Sequence, residues 1–125
     1  MNPRDVRTYL FDVEKACRLI VQFTQGVSRE AFLVDELLRS AVERQSEIVG
    51  EAMRQALDLD PSLADRVTDV RPIIAFRNRL ADGYSKIDPG EVWGICQNDV
   101  PKLIEEVRAI MGGLERKLLK RLEQS

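Results

Sequence analysis

The sequence contains no histidine among its 125 residues. Histidine is the side chain whose reference pKa, about 6.5, lies closest to neutral pH, so enzymes use it most often to move a proton. Any reaction that needs proton transfer at neutral pH must therefore rely on another side chain here. The absence also removes the commonest protein ligand of transition metals.

Cysteine and aromatic residues are scarce as well. The two cysteines, Cys17 and Cys96, are far apart, and each lies among apolar residues, so we expect buried free thiols. Neither belongs to the clustered pattern of ligands that a metal site needs. Aromatic residues make up only 6% of the chain, which indicates an aliphatic core. We predict a protein without a metal or another cofactor.

Long hydrophobic runs are missing too. No segment approaches the roughly 20 apolar residues that cross a bilayer, and the N-terminal segment carries acidic side chains early, unlike a secretory signal. These features predict a cytoplasmic protein with no membrane segment. Apolar residues make up 44% and charged residues 32%, as in folded soluble proteins. The length is that of a single domain, which we expect to span residues 1–125.

The charge is small overall but unevenly distributed. A formal net charge of −2 argues against a protein that coats nucleic acid by bulk electrostatics, and we expect no DNA partner. Residues 30–60 carry eight acidic residues and three arginines, whereas residues 71–86 carry three arginines and a lysine against one aspartate. A local positive patch on a mildly acidic chain indicates a focused site for an anion.

Apolar residues recur at three- and four-residue intervals along most of the chain, which is the pattern of amphipathic helices. No segment alternates with a period of two. We predict an all-α fold, an antiparallel bundle of four to five helices. The predicted helices run from Val6 to Val21, from Phe32 to Leu57 with a short helical lead-in after Ser28, from Pro72 to about Tyr84, and onward from Pro89.

Local signals give the expected ends of these helices. Gly26 and Pro61 should terminate helices, and Ser28 suits an N-cap. Pro101 and the pair Gly112–Gly113 should interrupt or bend the C-terminal helical region. The chain has no internal repeat and no low-complexity segment.

The densest group of reactive side chains is RNRLADGY, residues 77–84. On a helix, Arg77 and Tyr84 lie along one stripe, and Asn78 and Asp82 lie on the next. An arginine presents a planar fork that holds a phosphate through two hydrogen bonds. The alternative is a surface ion-pair group with Arg79, in which each pair contributes only about 0–1 kcal/mol. The residues alone leave both interpretations open.

The second long helix carries Glu43, Glu47 and Glu51 at four-residue spacing, so the three carboxylates form one stripe. This stripe either faces the solvent or holds the guanidinium groups of the arginine cluster. Gly50 interrupts the same helix at a cost of roughly 1 kcal/mol relative to alanine. Such a glycine often allows another backbone to come close, which favours an ordered site nearby.

Together with its surroundings, RNRLADGY resembles the signature of the HEPN superfamily, in particular the HepT-like toxins of prokaryotic toxin–antitoxin pairs. The pattern of that family is R-N-x-x-x-H-x-Y, followed by an aspartate and V-W. Further matches are YLFDV at 9–13, F-x-x-G-x-S at 23–28, AVERQSEIVGEA at 41–52 and PKL at 101–103. They occur in the family's order over about residues 5–110.

The resemblance implies a dimerising HEPN bundle in which the arginine motifs of both subunits line one cleft. It also implies metal-independent cleavage of RNA, either tRNA or mRNA, by attack of a ribose 2′-hydroxyl on the neighbouring phosphorus. In that mechanism Arg77 would neutralise the scissile phosphate, and Asn78 would position it.

Around this pair, we expect Arg79 and Tyr84 to add to substrate binding, and Glu47 and Glu51 to support the arginines from the second long helix. Tyr84 matches the tyrosine to which a nucleotidyltransferase antitoxin of the MNT type adds AMP. The added nucleotide would bring negative charge into the cleft and block it.

The sequence departs from the family pattern at Asp82, which stands where the family has histidine. A carboxylate is already ionised at neutral pH, so it is a weak base and a poor acid, and its charge repels a phosphate. We therefore expect ribonuclease activity to be lost or severely reduced, by natural divergence or by deliberate inactivation. The alternative is a non-catalytic HEPN binding module that docks a nucleotidyltransferase partner, and the third reading is an inert helical dimer.

Overall fold

The computed structural model describes residues 5–68, 70–83 and 87–124, and the regular structure within them is helical throughout. The helices are α1 (Val6–Thr24), α2 (Arg29–Val34), α3 (Glu36–Leu59), α4 (Arg71–Ala81), α5 (Pro89–Gly94) and α6 (Val100–Gln124). A 3₁₀ turn (Pro61–Asp65) follows α3, and a π-helical turn (Ile95–Asp99) joins α5 directly to α6. Because α5, the π-helical turn and α6 are continuous, the described residues form five α-helical stretches. The predicted all-α bundle is confirmed.

The predicted signals at Gly26, Ser28 and Pro61 are confirmed, but the long helix begins at Glu36 and not at Phe32, which belongs to α2. Gly26 follows α1 with a φ of 74°, a left-handed conformation that glycine adopts without strain. The Ser28 hydroxyl accepts a hydrogen bond from the Ala31 backbone N–H at 3.1 Å and so caps α2. Asp35 then caps α3 in the same way, which separates the short lead-in from the long helix. Pro61 stands just beyond the end of α3.

The predicted interruption of the last helix at Gly112–Gly113 is wrong, because α6 runs through both glycines without a break, whereas a bend there stays a prediction. A helical glycine costs about 1 kcal/mol relative to alanine, which strong helix formers on both sides can offset. Pro101 does change the backbone, since it lies in the first turn of α6 directly after the π-helical turn. Its ring lacks an N–H and crowds the preceding turn, which is a physical reason for the wider turn there.

The core is built mainly from aliphatic side chains, with α1 packed between α3 and α6 and with α3 also packed against α4. Phe32 and Phe76 are its largest fully buried side chains. Cys17 and Cys96 are buried free thiols, as predicted, and burial raises the pKa of each to about 12. Among the helices described, none is long and apolar enough to cross a membrane.

Candidate functional site

The crossing of α4 over α3 at Gly50 positions the arginine motif. A Cβ atom at Gly50 would lie 2.5 Å from Arg77 Cβ and 3.2 Å from the Ile73 carbonyl oxygen. Real Cβ atoms essentially never come within 3.0 Å of another such atom, so the contact with Arg77 Cβ requires a glycine for α4 to approach this closely. Because Gly50 has no side chain, the Cβ of Arg77 packs directly against the backbone of α3.

The Arg77 guanidinium is oriented by two neighbours. Its Nη2 lies 2.7 Å from Glu51 Oε2, and its Nη1 donates a hydrogen bond to Asn78 Oδ1 at 3.1 Å. The side chain is 26% exposed, so the group is partly buried but accessible from one side. Because an Arg fork has five N–H donors, these two contacts leave donors for another anion.

Glu51 is in turn held by its own helix. Its Oε1 accepts hydrogen bonds from Arg54 Nη2 at 2.9 Å and from Gln55 Nε2 at 3.0 Å. The hydrogen bond from Arg54 is the main cause that lowers the pKa of Glu51, with Gln55 and Arg77 adding to it against the effect of burial. The carboxylate therefore stays ionised at neutral pH and keeps its attraction for Arg77.

The other two glutamates of the stripe have different surroundings. Glu47 Oε1 lies 2.7 Å from Nη1 of Arg44 on the same helix. Glu43 is half-buried, and burial raises its pKa, an effect that the charge of Arg39 opposes. The three glutamates therefore do not act as one unit. Among the described residues of the arginine motif, 77–83, a contact with the stripe is made by Glu51 alone, through Arg77.

A groove of about 390 Å³ opens beside Arg77. Tyr9 and Asp12 of α1 form one side, and Ile48, Ala52 and Gln55 of α3 form another. The sequence segments YLFDV (9–13) and AVERQSEIVGEA (41–52) contain four of these residues, but sequence reasoning placed none of the five in a site. The spacing of Tyr9 to Asp12 and of Ile48 to Ala52 does indicate shared helix faces, but spacing within one helix cannot tell which helices meet.

Arg79 points to a different neighbour. It forms an ion pair with Glu91 of α5, and its guanidinium carbon lies 5.8 Å from the centre of the Phe76 ring. Glu91 is a second residue that sequence reasoning missed, because twelve positions separate the partners. Two arginines of one motif therefore contact carboxylates on opposite sides of α4.

Asp82 is the C-cap residue of α4, and its backbone N–H donates to the Asn78 carbonyl at 2.9 Å. The helix was predicted to reach about Tyr84, but it ends at Ala81, because Gly83 turns the chain with a φ of 76°. Asp82 is exposed, and within residues 5–68, 70–83 and 87–124 its side chain makes no hydrogen bond or ion pair. Tyr84 lies outside the described residues.

Arg77 and Asp82 do not face the same side of α4. In a regular helix, residues five positions apart point in directions that differ by about 140° around the axis. Arg77 points toward α3, as its contact with Glu51 requires.

In the part of the chain that the structure describes, no group of three or more acidic or cysteine side chains is placed to hold a metal ion.

The chain matches the family described as ribonuclease HepT-like over residues 13–110. It is 30% identical over 112 residues to "Putative RNase MJ1380" of Methanocaldococcus jannaschii, covering 88% of this chain and all of that protein. It is 31% identical over 100 residues to "Probable ribonuclease HepT" of Thermococcus cleftensis, covering 80% of this chain and 90% of that protein. No solved structure gave a significant match.

Proposed function

Because this chain belongs to the HepT-like ribonuclease family of the HEPN superfamily, we propose that it is a toxin homologue that binds RNA at Arg77 and cleaves it weakly or not at all. The observation that carries this proposal is the guanidinium of Arg77, which is held by Glu51 and Asn78 beside an open groove. A fixed guanidinium with spare donors is a phosphate-binding group.

The reaction that we propose for this site is attack of a ribose 2′-hydroxyl on the adjacent phosphorus. The bond to the 5′ oxygen of the next nucleotide breaks, and that oxygen leaves with a proton. Arg77 would stabilise the negative charge that develops on the phosphoryl oxygens, with Asn78 as a positioning residue and Arg79 as a further contact to the substrate. No step requires a metal.

Asp82 explains why we expect little activity. A base must take the proton of the 2′-hydroxyl, and an acid must supply one to the leaving oxygen. An exposed carboxylate does the first poorly and the second hardly at all at neutral pH. In a cleft shared by two subunits, its negative charge would also repel the phosphate.

The divergent directions of Arg77 and Asp82 support a homodimer. Arg77 of α4 and its C-cap residue Asp82 are five positions apart, which on a regular helix is about 140° around the axis. A phosphate held by Arg77 of one subunit would then lie away from Asp82 of the same subunit. A twofold axis beside α4 would bring the motifs of both subunits to one cleft. We further propose that the whole chain is one cytoplasmic domain and that an MNT-type nucleotidyltransferase antitoxin neutralises it by adding AMP to Tyr84.

The direct test compares the unaltered chain with Asp82→His, each incubated with total tRNA and with mRNA in EDTA. We expect cleavage by the histidine variant alone and expect the added change Arg77→Ala to abolish it, with a loss of at least about 100-fold as for other active-site groups. If the unaltered chain cleaves equally well, another group supplies the base and the role given to Asp82 is wrong. If Asp82→His and the unaltered chain are both inert on every RNA, the ribonuclease proposal fails.

The second candidate function is a non-catalytic binding module that docks a nucleotidyltransferase. The exposed side chain of Asp82 favours it, because a carboxylate there preserves the fold while removing the proton-transfer group. This function predicts tight association with a nucleotidyltransferase encoded beside the gene, and equal affinity for the unaltered chain and Asp82→His. A nucleotidyltransferase that ignores both forms would exclude it.

A further inference from the structure

The groove beside Arg77 is unsuited to a second phosphate. Three carboxylates line it, those of Asp12, Glu47 and Glu51, against the guanidinium groups of Arg44 and Arg77. Arg44 is already paired with Glu47, and Arg77 with Glu51. Since the acidic groups outnumber the basic ones, an anion is favoured only at the Arg77 end. The rest of the groove suits an uncharged group that carries hydrogen-bond donors.

The apolar part of the lining suits a flat ring. Tyr9 contributes an aromatic side chain, and Ile48 and Ala52 contribute aliphatic surface. Proteins that bind single-stranded RNA commonly stack unpaired bases on aromatic side chains. The volume of about 390 Å³ also lies within the range of roughly 300–1,000 Å³ that is typical of small-molecule pockets.

The polar groups of the groove favour a base with adjacent donors. The Gln55 amide nitrogen donates to Glu51, which leaves the Gln55 carbonyl oxygen as the acceptor of that side chain. Asp12 adds a carboxylate, which has about four lone-pair positions and so can accept from a base as well as from a protein donor. Among the RNA bases, only guanine presents two adjacent N–H donors, N1–H and N2–H, on its Watson–Crick edge.

We infer that the groove is a guanine subsite, in which the Asp12 carboxylate accepts hydrogen bonds from N1–H and N2–H of a guanine whose strand contacts Arg77 through a phosphate. The subsite rests on the proposed RNA-binding function and adds base selectivity to it. Asp12 contacts the base and takes no part in the chemistry, so the preference exists whether or not residue 82 permits cleavage.

The test is a binding experiment on the unaltered chain. Labelled 2′-O-methyl oligoadenylates, which cannot be cleaved by 2′-hydroxyl attack, carry a single central guanosine, inosine or uridine, and affinity is measured by fluorescence anisotropy. Inosine lacks only the N2 amino group of guanosine, so it breaks one of the two bonds without altering the protein. We expect guanosine to bind about 10-fold more tightly than inosine, and uridine to bind no better than inosine.

Variants separate the subsite from general RNA binding. Asp12→Asn should remove the preference, so that guanosine and inosine bind alike, while Glu105→Gln, an exposed carboxylate on α6, should retain it. Equal affinities in the unaltered chain, or a preference that survives Asp12→Asn in a variant with normal helicity and melting temperature, would overturn the subsite. Arg77→Ala should weaken binding of every oligonucleotide. If it does not, the phosphate site fails, and the guanosine–inosine ratio still tests the groove.

Discussion

Arg77 and Arg79 stand two residues apart in one motif, yet they have different surroundings. Arg77 contacts Glu51, and Arg54 and Gln55 hold that carboxylate from the same helix. Arg79 contacts Glu91, and the two side chains of this pair are 39% and 41% exposed, against 26% and 35% for Arg77 and Glu51. Arg77 thus belongs to a hydrogen-bonded network on one side of α4, whereas Arg79 forms a more exposed ion pair on the other side.

The difference separates a candidate binding group from an ordinary ion pair. A surface pair gains little, about 0–1 kcal/mol, because solvent screens it and both side chains lose freedom. A guanidinium fixed by a carboxylate that is itself fixed can meet a ligand without a further loss of side-chain freedom. Charge composition alone treats the two arginines as equal, whereas their neighbours make Arg77 the better phosphate ligand.

The largest effect should come from removing each arginine in turn. We expect Arg77→Ala to weaken RNA binding by about 10- to 100-fold, as for loss of a charged hydrogen bond, and Arg79→Ala to weaken it by less than about 5-fold. Anisotropy with one unlabelled RNA competitor at constant salt measures both affinities. Equal losses for the two variants would show that the arginines act as a shared positive patch and would break the comparison.

A smaller effect should follow from substituting the glycine beneath Arg77. Gly50→Ala puts a Cβ where Arg77 Cβ lies 2.5 Å away, so α4 must shift, at a cost of about 1–3 kcal/mol in unfolding free energy. Gly94→Ala is the matched control, because a helical Cβ there meets nothing within 4 Å. Its gain in helix propensity should raise stability by up to about 1 kcal/mol.

Urea unfolding of both glycine variants gives these free energies. The RNA affinity of Gly50→Ala tests whether the crossing of α4 over α3 also sets the position of Arg77. If it does, a shift of α4 should lower that affinity. A Gly50→Ala variant as stable as the unaltered chain would mean that the crossing is not tight.

Local chemistry made much of the fold predictable. The Ser28 cap, Gly26 and the helix-starting prolines act within one turn of the chain, so their effects can be read from the residues themselves. Gly112 and Gly113 do not break α6, because a helical glycine carries only a modest penalty of about 1 kcal/mol relative to alanine. Whether surrounding residues outweigh such a penalty depends on the whole helix and its packing.

The candidate site was predictable only where it is contiguous. Arg77, Asn78 and Asp82 lie in one motif, and Glu51 could be proposed but not oriented from its spacing. Asp12 and Gln55 stood out only after α1 and α3 were seen to flank one groove. Sequence periodicity gives the face on which a residue lies, and tertiary packing decides what that face meets.

The smallest expected effect is on the pH dependence of stability, and it comes from Glu51, the carboxylate that holds Arg77 but not Arg79. The pKa of Glu51 is lowered in the folded chain, first by the hydrogen bond from Arg54, so its contribution to stability is present above about pH 4.5 and is lost as the pH falls through the lowered value. The unaltered chain should therefore lose more unfolding free energy than Glu51→Gln on acidification. Because Glu51 is 35% exposed, solvent screening should keep this difference below about 1 kcal/mol.

Glu43 lies on the same helix, and its effect on the pH dependence of the unfolding free energy should have the opposite sign to that of Glu51. The variant Glu43→Gln tests this. Burial raises the pKa of Glu43 in the folded chain, so its contribution is present below the unfolded pKa and is lost as the pH rises through the raised value. Relative to Glu43→Gln, the unaltered chain should therefore lose stability on going from acid to neutral pH, whereas relative to Glu51→Gln it should gain stability. Urea unfolding across the acid range measures both differences. A flat slope for Glu51, or one with the sign expected for Glu43, would mean that the neighbours of Glu51 do not stabilise its charge and would remove the distinction between Arg77 and Arg79.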